Sequence, residues 1–131
     1  MDLKLTDKTI FITGASGGIG RALAEEFAQE GASLALTGHG KFDELQAWLA
    51  GQPWAGRAMA LKADTTQPLE MDAALAQAVE RFGRVDVCVA NAGKWPQEDL
   101  RLDEIDEGRL RETIDVNLYG SIWTARAFMQ A

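Results

Sequence analysis

The sequence predicts an α/β fold, a doubly wound parallel sheet with helices on both faces and strand order 3-2-1-4. Three observations carry this expectation. Hydrophobic periodicity alternates along the chain between short strand-like runs and amphipathic helical stretches, and a βαβαβαβα series is the pattern of a parallel sheet. The dense glycine cluster, Gly14, Gly17, Gly18 and Gly20, lies where the first strand gives way to the first helix. The fourth strand-like run is almost continuously apolar, as expected of a strand covered on both faces.

Each element has its own signal. Strand one is expected over residues 9–13, a β-branched and aromatic run. A helix opens at Ile19 and runs to about residue 30, with Ile19, Leu23, Phe27 and Ala28 on its inward face. Gly31, which tolerates positive φ, ends it. Strand two covers 33–37 and turns at Gly38-His39-Gly40. Phe42, Leu45, Trp48 and Leu49 mark a short helix, followed by a loop over 51–56 that contains Pro53. Strand three, 57–63, ends at Asp64-Thr65-Thr66. Pro68 suits the first position of the next helix, whose inward face is read as Leu69, Ala73, Leu75, Ala78, Val79 and Phe82, with Gly83 as its stop. Strand four spans 85–90 and ends at Asn91-Ala92-Gly93. Residues 94–103 read as a loop, and a long helix follows from about residue 106 to near residue 131. Right-handed crossovers and this strand order place a crevice between strands one and four.

Composition narrows the possibilities. With 131 residues and 47% hydrophobic content, the chain suffices for one domain over 1–131. No apolar stretch is long enough to span a membrane, and the first residues lack the apolar core of a signal peptide. The net charge of −7, with no basic cluster, argues against nucleic acid as a partner. One His and one Cys are too few for a His/Cys metal site, so no metal is expected. Cys88 lies in an apolar run and reads as a small core residue; a reducing, cytoplasmic setting fits. The acidic stretch 98–112 mixes both charge signs and reads as a solvated loop and helix face.

The glycine turn is where ligand chemistry first shows. A strand turning through glycines into a helix lets the backbone approach a phosphate closely, with the free N–H groups of the helix N-terminus aimed at it. Gly14, Gly18 and Gly20 are spaced G-x-x-x-G-x-G, not G-x-G-x-x-G. With Asn91-Ala92-Gly93 after strand four and Asn117 in the last helix, the chain resembles the short-chain dehydrogenase/reductase family. The resemblance covers essentially the whole chain, through Thr13-Gly14-Ala15-Ser16-Gly17-Gly18-Ile19-Gly20, Asp64, Asn91-Ala92-Gly93 and Asn117.

This resemblance implies a Rossmann-type fold binding NAD or NADP, and hydride transfer between a small-molecule alcohol and its carbonyl compound. Gly14, Ser16, Gly18, Ile19 and Gly20 would surround the pyrophosphate and the nicotinamide-side ribose, although Gly18 and Gly20 would equally serve tight helix–strand packing. Asp64 would accept from the adenine amino group, or act only as a turn or capping carboxylate beside Thr65. Asn91 would pin the sheet while Ala92 and Gly93 leave room for the adenosine ribose. Asn117 would belong to the catalytic set by organising a proton-relay water, or would make a structural hydrogen bond, since a polar residue among Ile114, Val116 and Leu118 needs a partner if buried. Gly38 stands where NAD-preferring relatives carry an acid. His39 stands where NADP-preferring ones often carry Arg, and some of those have a basic residue in place of Gly17. Without the acid, and with His39 and Lys41 as donors, the preference leans to NADP.

The family's catalytic Ser and Tyr-x-x-x-Lys pair have no counterpart here. Tyr119 is the single tyrosine, and position 123 is Trp. The expectation is therefore a cofactor-binding half truncated before strand five, inactive alone. Its exposed strand-four edge and long C-terminal helix would pair it with further copies in a homo-oligomer. An NAD(P)-binding or sensing module without catalysis, and an interaction protein that has lost nucleotide binding, remain alternative classes. A sugar-nucleotide epimerase fits the Asn-Ala-Gly poorly. Trp95 would either wall a substrate cleft or cap its loop.

Overall fold

The computed structural model describes residues 2–131. At its centre lies β1 (Thr9–Ile12), a β-branched and aromatic run with all four residues buried. It pairs in parallel with β2 (Ser33–Gly38) on one side and β4 (Val87–Val89) on the other, while β3 (Ala58–Lys62) pairs with β2. The order is β3-β2-β1-β4, as the alternating pattern predicts.

The period-2 alternation of the strands sorts side chains onto two faces. Ile10, Ile12, Leu34 and Leu36 form one core with Ala24 and Ala28 of α1 (Gly18–Gln29) and Leu45 and Leu49 of α2 (Phe42–Ala50). Phe11, Ala35 and Leu61 form the other, with Met71, Ala74, Leu75 and Ala78 of α3 (Pro68–Phe82) and Ala127 from the C-terminal helix. Gly31 and Gly83 follow α1 and α3 with φ of +85° and +84°, conformations an L side chain would strain.

Partly buried polar ties set the strand ends. Arg57 belongs to a short 3₁₀ turn, not to strand three: its Nη1 donates to Ala32 O at 2.6 Å and its Nη2 to Ala28 O at 3.1 Å, fastening the end of α1 to the start of β3. Asp86, just before β4, accepts the Thr9 N–H on Oδ2 at 2.9 Å and pairs with Arg84. Burial pushes its carboxyl up, but the Thr9 N–H, Arg84 and Lys8 outweigh that and hold it below the usual carboxylate range.

Three expectations are corrected. The inward stripe of α3 is Met71, Ala74, Leu75 and Ala78, at i, i+3, i+4 and i+7, while Ala73 is exposed and Leu69 is 81% exposed, because Leu69 lies two positions, about 200°, away from Met71. In α1 the buried positions are Gly20, Ala24 and Ala28, with Leu23 and Phe27 only half-buried and Ile19 72% exposed. The residues of β4 are half-buried, not covered on both faces, and among the described residues no strand flanks its outer side. Cys88 packs beside the Phe11 core, and burial pushes its thiol up to about 11, so it stands protonated at neutral pH.

The expected long helix is present in three pieces. Asp106 caps α4 (Glu107–Ile114), its Oδ1 accepting the Arg109 N–H at 2.9 Å. A single π turn, Asp115–Tyr119, then leads into α5 (Gly120–Gln130). Isolated π turns of this kind occur often at functional sites. Here the turn carries Asn117. Gly120 begins α5 against the strand-three turn, where a Cβ would stand 2.8 Å from Thr65 Oγ1.

Candidate functional site: a cleft over the carboxyl ends of the strands

At the carboxyl edge of the sheet, where the order turns from β1 to β4, lies a cleft of about 640 Å³. This is where an open parallel sheet offers its ligand crevice. Apart from Lys41, the candidate cofactor and catalytic residues of the sequence lie along it: Gly14, Ser16, Gly17, Gly18, Ile19 and Gly20 from the glycine turn, Gly38 and His39 after β2, Asp64 and Thr65 after β3, Asn91, Ala92 and Gly93 after β4, and Asn117 from the π turn. Lys41 is exposed and is not part of the lining.

The glycines divide by what surrounds them. Gly14 has φ +62°, and a Cβ there would stand 2.7 Å from Ala92 Cα. Gly20 would place a Cβ 2.4 Å from Gly14 O. Both positions are glycine because backbone meets backbone. Gly18 is different: a Cβ there would meet nothing within 4 Å, so no protein neighbour requires a glycine, and the empty space belongs to the cleft. The packing explanation therefore holds for Gly20 and fails for Gly18.

At its N-terminus α1 has no side-chain cap and no acidic residue in its first turn. Its first N–H groups are left for something in the cleft, and the helix dipole there favours an anion. Deeper in, Thr37 is 1% exposed and its hydroxyl has no partner, although it lines the cleft. A buried hydroxyl without a partner is costly, and a ligand donor or acceptor would satisfy it. Sequence reading passed over Thr37, since a threonine in a strand is ordinary. It also passed over Ala63, Lys94 and Val116, which complete the lining.

Asn91 and Asn117 hold the walls. The Asn91 amide Nδ2 donates to Thr13 O at 3.1 Å and to Gly14 O at 3.2 Å, joining the ends of β1 and β4. The Asn117 Oδ1 accepts the Lys94 N–H at 2.6 Å, and its Nδ2 donates to Lys94 O at 2.8 Å. Asn117 is exposed, so the argument from buried polarity does not apply to it; its side-chain amide fixes the loop after β4 instead. Its main-chain oxygen accepts the Ser121 hydroxyl at 3.1 Å.

Asp64 acts in a turn. Its Oδ1 accepts from Thr66 N at 2.9 Å and Thr66 Oγ1 at 2.7 Å, which fixes the carboxylate. It does not cap α3, whose N-cap is Gln67. The other oxygen, Oδ2, lies 3.5 Å from His39 Nε2. At the opposite end of the cleft Trp95 is 81% exposed, and Lys94 pairs with Glu112. Tyr119 stacks on Trp123 with ring centroids 6.0 Å apart and lies outside the cleft lining.

Comparison with known proteins agrees with this geometry. The family model for short chain dehydrogenases matches residues 8–131. Two L-rhamnose 1-dehydrogenases (NAD(P)(+)) are similar over nearly the whole chain. That of Sphingomonas is 38% identical over 130 residues, 96% of this chain and 49% of its own length. That of Azotobacter vinelandii is 42% identical over 128 residues, 94% of this chain and 49% of its own. Among solved structures, a short-chain glucose/ribitol dehydrogenase from Brucella melitensis superposes with a TM-score of 0.92 at 33% identity, covering 100% of this chain and 55% of that one. A short chain dehydrogenase from Burkholderia cenocepacia in complex with NADP gives 0.86 at 33% identity, with 96% and 51% covered. The chain thus spans about half the length of the curated relatives it matches. The matched span, the parallel sheet in the order 3-2-1-4 and the glycine turn lead to one conclusion: the chain belongs to the short-chain dehydrogenase family.

Proposed function

We propose that the chain forms the dinucleotide-binding half of an NAD(P)-dependent oxidoreductase that interconverts a small alcohol and its carbonyl compound. The observation that carries this reading is the space above Gly18, open to the uncapped N-terminus of α1, with the unpartnered Thr37 hydroxyl in the same cleft. These features fit a ligand that brings phosphate and polar ribose groups.

In this reading Gly14, Ser16, Gly17, Gly18, Ile19 and Gly20 take the pyrophosphate and the adjoining ribose. Asp64, Thr65, Asn91, Ala92 and Gly93 take the adenosine, and Gly38 and His39 face its 2′ position. NADP is preferred over NAD because no acid stands at Gly38 and His39 offers an imidazole donor beside it. When bound, the dinucleotide supplies or accepts the hydride. The chain's own contribution is to bind it, exclude water along the cleft and fix the loop after β4 through Asn117, which keeps its place in the catalytic set of this proposal. The solvent-facing Tyr119 supplies no acid or base to the cleft, so these 131 residues alone would bind without turnover. The two rhamnose dehydrogenases make a small sugar the first substrate class to try. Association of copies through the α4–α5 face and the β4 edge, and a cytoplasmic setting, belong to the same proposal.

The test is a fluorescence titration of the purified protein with NADPH and with NADH. Saturable binding, tighter for NADPH, supports the reading. A protein that binds neither is instead a fold that has lost its nucleotide.

A further inference from the structure

His39 follows β2 and Asp64 follows β3, so the pairing of these neighbouring strands brings the two side chains together at one end of the cleft, 3.5 Å apart. The carboxylate is not free to move away. Its Oδ1 is held by both the N–H and the hydroxyl of Thr66, and the Asp64 N–H donates to Glu70 Oε1 at 3.2 Å. Oδ2 is the oxygen left over, and it faces the imidazole. The His39 side chain is 60% exposed and Asp64 25%. Of the cleft-lining residues that follow β2 and β3, His39 alone is basic.

We propose that Asp64 is a specificity-determining residue that sets the preference between the two dinucleotides by holding His39: its carboxylate and a ligand 2′-phosphate compete for one imidazole. The proposal rests on the reading of the cleft as a dinucleotide site, with His39 at the 2′ position. A 2′-phosphate must take the imidazole from Asp64 before it gains that contact, whereas a 2′-hydroxyl need not. The apparent affinity for the phosphorylated form falls by the fraction of molecules in which His39 is already engaged. A contact this exposed is weak, so the penalty is roughly two- to six-fold in affinity, enough to hold a site near dual use.

A double-mutant cycle tests this. Dissociation constants for NADPH and NADH are measured by fluorescence for the unmodified protein, Asp64→Asn, His39→Ala and the double variant. Competition by 2′,5′-ADP and by 5′-AMP isolates the adenosine end, and circular dichroism confirms that each variant is folded. The expected result is a two- to six-fold shift toward NADPH in Asp64→Asn that disappears when His39 is absent. An equal shift with and without His39 would mean that Asp64 repels the phosphate directly, and would overturn the proposal. No shift in either background overturns it too. A protein that binds neither dinucleotide removes the underlying reading and the proposal together, which separates the two failures.

Discussion

Thr13 and Asn91 grip each other in both directions. The Thr13 hydroxyl accepts the N–H of Asn91 at 3.1 Å and of Ala92 at 3.0 Å, while the Asn91 amide returns a hydrogen bond to Thr13 O. The pair joins the ends of β1 and β4, and so sets the width of the crevice between them. Valine at position 13 has the right shape but accepts nothing, leaving the partly buried Ala92 N–H without a partner and the Asn91 N–H with Val89 O alone, at 3.0 Å. Thr13→Val is expected to cost about 1–3 kcal/mol in urea unfolding, and Thr13→Ser well under half of that.

Gly14 and Gly18 belong to one turn but answer to different neighbours. An alanine at Gly14 must adopt positive φ and collide with the Ala92 backbone, so Gly14→Ala should destabilise by about 3 kcal/mol or more. An alanine at Gly18 meets no protein atom and sits in a helix, so the protein should be as stable or gain up to about 1 kcal/mol. The same methyl protrudes into the cleft and should weaken NADPH binding at least ten-fold. Thermal melts and titrations of the two variants separate fold from function.

Thr37 predicts an opposite pair of effects. Its buried hydroxyl has no protein partner, so Thr37→Val should stabilise the ligand-free protein by about 1 kcal/mol. If the hydroxyl serves the ligand, the same variant should bind dinucleotide several-fold more weakly. Stabilisation with unchanged binding would assign Thr37 no part in the site.

Asp86 predicts how stability depends on acid. Its folded carboxyl titrates below the usual range, so the unfolded chain takes up the proton first as pH falls. The stabilisation is present above about pH 4, the ordinary carboxylate range, and is lost as pH drops through the lower folded value. Asp86→Asn should therefore be less stable than the unmodified protein at pH 7. The gap should close as both are titrated below pH 4, followed by urea midpoints.

The architecture was legible because its signals are local and repeated. The TIFI run, the glycine turn and the stops at Gly31 and Gly83 each mark one element, and their alternation specifies a parallel sheet. The helix faces were less so. Leucine's apolar character points the stripe of α3 through Leu69, yet the sheet selects Met71, Ala74, Leu75 and Ala78, and small alanines carry little hydrophobic signal on their own. The cleft residues were legible as a set because the turns after all four strands gather at one edge. The Thr37 hydroxyl and the His39–Asp64 contact were not, since both depend on which side chains meet across parallel strands. Asn117 was legible as a residue but not by its partner, because the π turn that directs its amide to Lys94 has no sequence signature of its own.

The central claim is that the cleft above Gly18 holds a dinucleotide. Calorimetric titration of the purified protein with NADPH, repeated on Gly18→Val, tests it most directly. The account predicts one saturable site per chain, lost in the variant while its circular dichroism spectrum is unchanged. Equal binding by both proteins, or no heat of binding with the unmodified one, would contradict it.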